Sequence, residues 1–141
     1  MRVTVAVLFS MFIALLPSRG MAVGAFAVGQ VGGFSFAIPT NGADAASVSA
    51  RAIDLCRNTP DAKNNEALKK DCKILQTFTN KCAVVAWDPA PNYPGVGVGW
   101  AIEDDMETAK TRAIAKCGAT AKPGRADSCV VARANCDGTA K

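Results

Sequence analysis

Large and small apolar residues alternate through residues 34–38, placing Phe34, Phe36 and Ile38 on one face of an extended strand. A helical stripe follows, in which Ala45, Val48, Ala52, Ile53 and Cys56 recur at i, i+3, i+7, i+8 and i+11. Asp44 stands before it as the N-cap, able to accept from the free amides of the first turn. The same succession returns later in the chain. Val96, Val98, Trp100 and Ile102 line one strand face, and Met106, Ala109, Ala113, Ile114 and Cys117 repeat the helical stripe at the same offsets. Gly33, Phe34, Phe36, Ala37 and Ile38 answer Gly97, Val98, Trp100, Ala101 and Ile102, and Asp44, Arg51, Ala52, Ile53 and Cys56 answer Asp105, Arg112, Ala113, Ile114 and Cys117. Gly95, Gly97, Gly99 and Ala101 leave the second face of the later strand bare, so that another backbone can approach it closely.

The remaining segments fit around this repeat. Residues 24–29 read as a strand and residues 30–33 as a hairpin turn, with residues 72–78, 82–87 and 129–133 as further strands. The second hairpin loop, residues 88–95, is longer and stiffened by Pro89, Pro91 and Pro94. Residues 57–71 are polar and long for a bare connection, which makes them either a surface excursion with a helical turn at 65–70 or a contact loop. In the second helix Asp104 and Glu107 have the spacing of a capping box. The expected fold is one α+β domain of two strand-strand-helix-strand pseudo-repeats, about residues 24–81 and 82–136, with a mainly antiparallel sheet carrying two helices.

The first 22 residues change the picture of where the chain works. Arg2, the apolar run of residues 3–16, the Pro17 break and the small Gly20 and Ala22 form the pattern of a signal peptide cleaved after Ala22. An uncleaved anchor is the rival, but the 14 residues of this run fall short of the roughly 20 that span a bilayer. The first cysteine is Cys56, too distant for an N-terminal lipid attachment. The mature domain is then residues 23–141, secreted or periplasmic, with no further membrane attachment. Its loss of Arg2 and Arg19 takes the net charge from +4 to +2, too small a bias to suggest nucleic acid.

All six cysteines, Cys56, Cys72, Cys82, Cys117, Cys129 and Cys136, lie in that mature part, an even number that reads as a disulfide framework in an exported chain. Alanine stripes bury little apolar area, and at about 25 cal/mol per Å2 they hold a helix weakly. A bridge from each helix end to the next strand compensates. Equivalent cysteines making equivalent bonds gives Cys56–Cys72, Cys117–Cys129 and Cys82–Cys136. A rival that also respects the repeat is Cys56–Cys82, Cys117–Cys136 and Cys72–Cys129.

Chemistry is sparse. The chain has no histidine, which excludes Ser-His-Asp and Cys-His sites and histidine-bound zinc, and no Cys-x-x-Cys pair suggests a metal or a redox thiol. No phosphate-binding loop or dinucleotide fingerprint is present, and no cofactor is expected. Glu103, Asp104, Asp105 and Glu107 are the densest acids, and a hydrolase using paired carboxylates is the alternative they raise. Acids in the first turn of a helix suit its dipole, however, and capping explains them. Trp87, Trp100 and Tyr93 offer an aromatic platform, but the position of Trp100 on the large-residue face places it in the core.

The leader, the Gly-Trp-Ala-Ile strand at residues 99–102, the Arg-Ala-Ile-x-x-Cys helix ends at 51–56 and 112–117, and the cysteine strand after each helix together resemble the bacterial secreted domain of unknown function family 4189. The resemblance covers about residues 24–136. It implies a small exported protein and brings no activity, substrate or catalytic residue with it. Residues 57–71 and 88–95 depart from the pattern. The expected function is therefore a non-catalytic binding module, such as an inhibitor, an immunity protein or an effector acting by contact, with a protein or a cell-envelope component as partner. The two departing loops are the expected contact surfaces, or else tolerated insertions. Tyr93 is the candidate anchor, with Asn92 beside it and Lys69 and Lys70 as further candidates.

Overall fold

Side-chain size decides which way each strand faces. The computed structural model describes residues 22–90 and 97–141, and the leader expected at residues 1–22 lies outside them except for Ala22. The first unit runs β1 (Gly24–Gly29), β2 (Ser35–Ala37), α1 (Ala45–Arg57), two short helices α2 (Pro60–Lys63) and α3 (Glu66–Asp71), and β3 (Lys73–Phe78). The second runs β4 (Cys82–Trp87), β5 (Val98–Glu103), α4 (Met106–Thr120), a 3-10 turn (Ala126–Ser128) and β6 (Val130–Cys136). The fold is α+β and antiparallel throughout, with the strands divided between two three-stranded sheets ordered β2-β1-β3 and β5-β4-β6. The same β-bulge recurs in both sheets. Leu75 in β3 and Ala132 in β6 lie outside the pairing register, each three residues after the cysteine that precedes its strand.

Small residues face outward, toward the helices. Ala25, Ala27 and Ala37 pack against Val48, Ala52 and Cys56 of α1, while Cys82, Val84, Ala86 and Ala101 pack against Ala109, Ala113 and Cys117 of α4. The bare strand face brings α4 very close: a Cβ added at Gly99 would overlap the Ala113 carbonyl and the Cys117 amide. In the first unit Ser35 lies beneath the end of α1, its hydroxyl donating to the Cys56 carbonyl at 2.6 Å. The buried stripes are narrower than expected. Ala45 and Ile114 are exposed, because each helix meets its sheet along one row of small residues.

Large residues face inward, sheet against sheet. Phe26, Ile38 and Phe78 from the first unit meet Ala83 and Val85 from the second, flanked by Phe34, Phe36, Trp100 and Ile102. Phe26 meets Trp100 edge-on at 5.9 Å, the geometry aromatic quadrupoles prefer. The layers thus run helix, sheet, sheet, helix. Hydrogen bonds also tie the units, among them those from the Asn41 amide to Asp137 Oδ1 at 2.7 Å and from Asn135 Nδ2 to the Ile38 carbonyl at 2.6 Å.

Both helices begin as their sequences require. Asp44 accepts from the Ser47 amide and Asp105 from the Thr108 amide, each at 2.8 Å. The second cap is thus Asp105, one residue beyond the Asp104 of the expected box: its backbone is extended, φ −134° and ψ 157°, and its carboxylate accepts from the Thr108 amide. Residues 57–71 form a docked excursion. Thr59 caps α2, Asn65 caps α3, and the fully buried Leu68 packs beneath Gly29 and Gly33. Asn65 Nδ2 donates to the Gly32 carbonyl and Asp71 accepts from the Gln30 amide, holding the excursion to the first hairpin turn.

Three disulfides join Cys56 to Cys72, Cys117 to Cys129 and Cys82 to Cys136, the pairing in which the two units are treated alike. The first two tie each helix end to the strand it packs against, and the third joins residues opposite each other in the β4–β6 register. Closing a loop of about 15 residues is worth about 3 kcal/mol in the chain-entropy model, which suits helices held by alanine. Among the described residues, no helix is long and apolar enough to cross a membrane.

Candidate functional site

The two units meet unevenly along one edge, where β2, the turn after it, α1 and β6 enclose a cleft of about 480 Å3. Each wall follows from local sequence. Arg133 and Asn135 pair across to Val85 and Ala83, so their side chains share the inner face of the second sheet. On the edge strand β6 that face looks onto β2 of the first unit. Arg51 precedes the buried Ala52 on α1 and so stands at the flank of the helix, with Leu55 one turn further along. Thr59 is fixed by Ser35, hydroxyl to hydroxyl at 2.8 Å, and Asn135 is fixed by its bond to Ile38. Asn41 takes a left-handed backbone, φ 59°, which asparagine tolerates better than most residues, and Asp137 holds its amide.

The lining carries positive charge without a counterion. Among the described residues, neither Arg51 nor Arg133 takes part in an ion pair, and no carboxylate lines the cleft. Asp137 lies behind the wall but is fully buried, and its Oδ2 has no hydrogen-bond partner. The other unit makes the vacancy meaningful. Arg112, which answers Arg51, is bound to Glu103 at the end of β5 at 2.7 Å. The end of β2 leads into Pro39, Thr40, Asn41 and Gly42, which supply no acid. On the third strands, β3 has Gln76 and Phe78 where β6 has Arg133 and Asn135, each pair four and six residues after the cysteine that precedes the strand. Phe78 is buried in the inter-sheet core, whereas Asn135 opens onto the cleft.

The family model described as a domain of unknown function, DUF4189, matches residues 23–136. The chain belongs to the DUF4189 family. No curated protein and no solved structure gives a significant match. The DUF4189 match begins directly after Ala22 and takes in all six cysteines, both long helices and both cleft arginines.

The residues singled out from the sequence fall elsewhere in this DUF4189 domain. Tyr93 and Asn92 lie outside the described residues. Lys69 is half-buried and pairs with Glu66 on α3, Lys70 is exposed on the same helix, and neither lines the cleft. The acidic group is committed throughout: Glu103 to Arg112, Asp104 to Lys81, Asp105 to the helix cap and Glu107 to Lys110. The Thr108 amide and hydroxyl hold the Asp105 carboxyl below its usual range. At the start of the proline loop, Arg125 grips Asp88 with two nitrogens and, with the Ala90 amide, lowers its pKa to about 2. No group of three or more His, Cys, Asp or Glu side chains among the described residues is placed to hold a metal. Nothing in the sequence pairs Arg51 with Arg133, because they lie 82 positions apart. A signal was nevertheless present, in the acid that follows Ile102 and is missing after Ile38.

Proposed function

We propose that this chain is a small exported binding module that acts by contact and without catalysis on a protein or cell-envelope component, as an inhibitor, immunity protein or effector does. The single observation that carries the reading is the cleft, which presents guanidinium, amide and hydroxyl groups beside an apolar wall and no carboxylate to move a proton. A concavity with a few convergent, fixed polar groups is a form in which binding sites occur. The acids that would serve a carboxylate hydrolase are used in a helix cap and in ion pairs, which weighs against that alternative. Three disulfides are the mark of a chain that matures in an oxidising compartment, and a leader ending at Ala22 would deliver it there. The test is to incubate the purified exported protein with envelope fractions and follow both complex formation and product release. A stoichiometric complex with no multiple-turnover product is the expected result. Product released catalytically, and lost in Asp104→Asn, would overturn the reading.

A further inference from the structure

We infer that the cleft between α1, β2 and β6 binds an organic anion, with Arg51 and Arg133 receiving a carboxylate or phosphate head and the flanking Phe36 and Leu55 receiving an apolar body. The inference rests on the reading of this chain as a binding module and specifies what the module recognises.

Two cations that share a concavity with no acid repel one another and draw in an anion. A guanidinium offers a planar fork of N–H donors that matches both carboxylate and phosphate oxygens, often two bonds at a time. The neighbouring polar groups leave room for such a guest. The Asn135 amide is used by the Ile38 carbonyl and the Thr59 hydroxyl by Ser35, so both hold shape, and the unpaired donors that remain are chiefly those of the arginines. A cavity of about 480 Å3 is of small-molecule size.

The repeat supplies an independent line of support. Arg112 stands at the same place on α4 as Arg51 on α1, and there Glu103 neutralises it within the protein. On β3 of the first unit Gln76 and Phe78 stand at the positions that Arg133 and Asn135 hold on β6, and Phe78 fills the inter-sheet space. One duplicated position has thus been closed with an internal carboxylate and an aromatic ring. The other has been left open with a second arginine and an asparagine. The ligand's head group takes the place that Glu103 takes in the second unit.

The test titrates the purified protein with octanoate, octyl phosphate, octanol and octyltrimethylammonium, read by calorimetry and by amide shifts of Thr40, Asn41 and Asn135. Saturable binding of one or both anions is expected, and whichever binds more tightly assigns the head as carboxylate or phosphate. Arg51→Gln and Arg133→Gln should each weaken that binding tenfold or more, Arg51→Lys less than Arg51→Gln, and Arg112→Gln less than twofold. Equal binding of octanol, failure of both anions, or an effect of Arg112→Gln as large as that of Arg51→Gln would each overturn the inference. These arginines are exposed, and thermal unfolding of each variant reports its fold separately. If the envelope complex forms while neither anion binds, this inference falls alone. Anion binding together with catalytic turnover would instead remove the non-catalytic reading and leave the site.

Discussion

The two units of this domain share a bulge, a helix cap, an alanine stripe and a disulfide from helix to strand, and differ in how each treats the flank of its helix. In the second unit α4 lies against the bare Gly99, and Arg112 is closed off by Glu103. In the first, Ser35 stands beneath the end of α1, Arg51 has no acid, and the connection to the next strand swells into α2 and α3. What is common to both copies is what folding requires. The cleft proposed to bind a ligand lies among the differences.

The largest effect is expected at the strand–helix contact. Gly99→Val is expected to destabilise by about 3 kcal/mol or more, because its side chain would meet α4 backbone that cannot yield. Ser35→Gly should cost only about 1 kcal/mol, the net worth of a buried hydrogen bond. Urea unfolding measures both, and equal losses would mean that the helices are not seated differently. Next in size are the matched bridges. Cys56→Ala with Cys72→Ala, and separately Cys117→Ala with Cys129→Ala, should each lose about 3 kcal/mol, since their separations of 16 and 12 residues are similar. A much smaller loss in the first unit would show that docking of Leu68 and Ala62 already restrains that connection. The caps come third: Asp44→Ala and Asp105→Ala should each cost about 1 kcal/mol by the same measurement, and equally if the units are equivalent there.

The smallest effect at neutral pH belongs to Asp88, whose partner Arg125 exists only in the second unit. Its folded pKa of about 2 lies below the ordinary value of 3.8, so its contribution is fully present above about pH 4 and is lost as pH falls through about 2. Between those limits the protein should lose stability more steeply than Asp88→Asn does. Parallel curves in acid denaturation would show that the Arg125 grip is absent in solution.

Much of this architecture could be read from size alternation and periodicity. The order of strands and helices, the Asp44 cap and the close backbone approach at Gly99 follow from short-range patterns and their repetition, and the repetition narrows the cysteines to two pairings, of which the fold adopts the one from helix end to next strand. The division of the strands into two sheets was not read, because alternation gives the faces of a strand but not its neighbours. The docking of residues 57–71 is also hidden in the sequence, since Leu68 is the single large apolar side chain of a polar segment and its pocket is the bare backbone of Gly29 and Gly33. The cleft was missed for a further reason: its two arginines come from different units and meet only after the sheets stack.

None of the three disulfides runs from one unit to the other, and in the chain itself only residues 79–81 connect β3 to β4. The Cys82–Cys136 bridge makes the second unit a covalent ring, with the Cys117–Cys129 ring nested inside it. One protease cut between Cys82 and Cys136 therefore leaves a single molecule under oxidising conditions, whereas a cut at residues 79–81 leaves two. Those two halves, each carrying its own bridges, would meet as partners in a heterodimer, through the Phe26–Trp100 contact and the Asn41–Asp137 and Asn135–Ile38 bonds. Their dissociation constant would express as a concentration what the intact chain conceals within one folding transition: how strongly a duplicated unit holds its own copy.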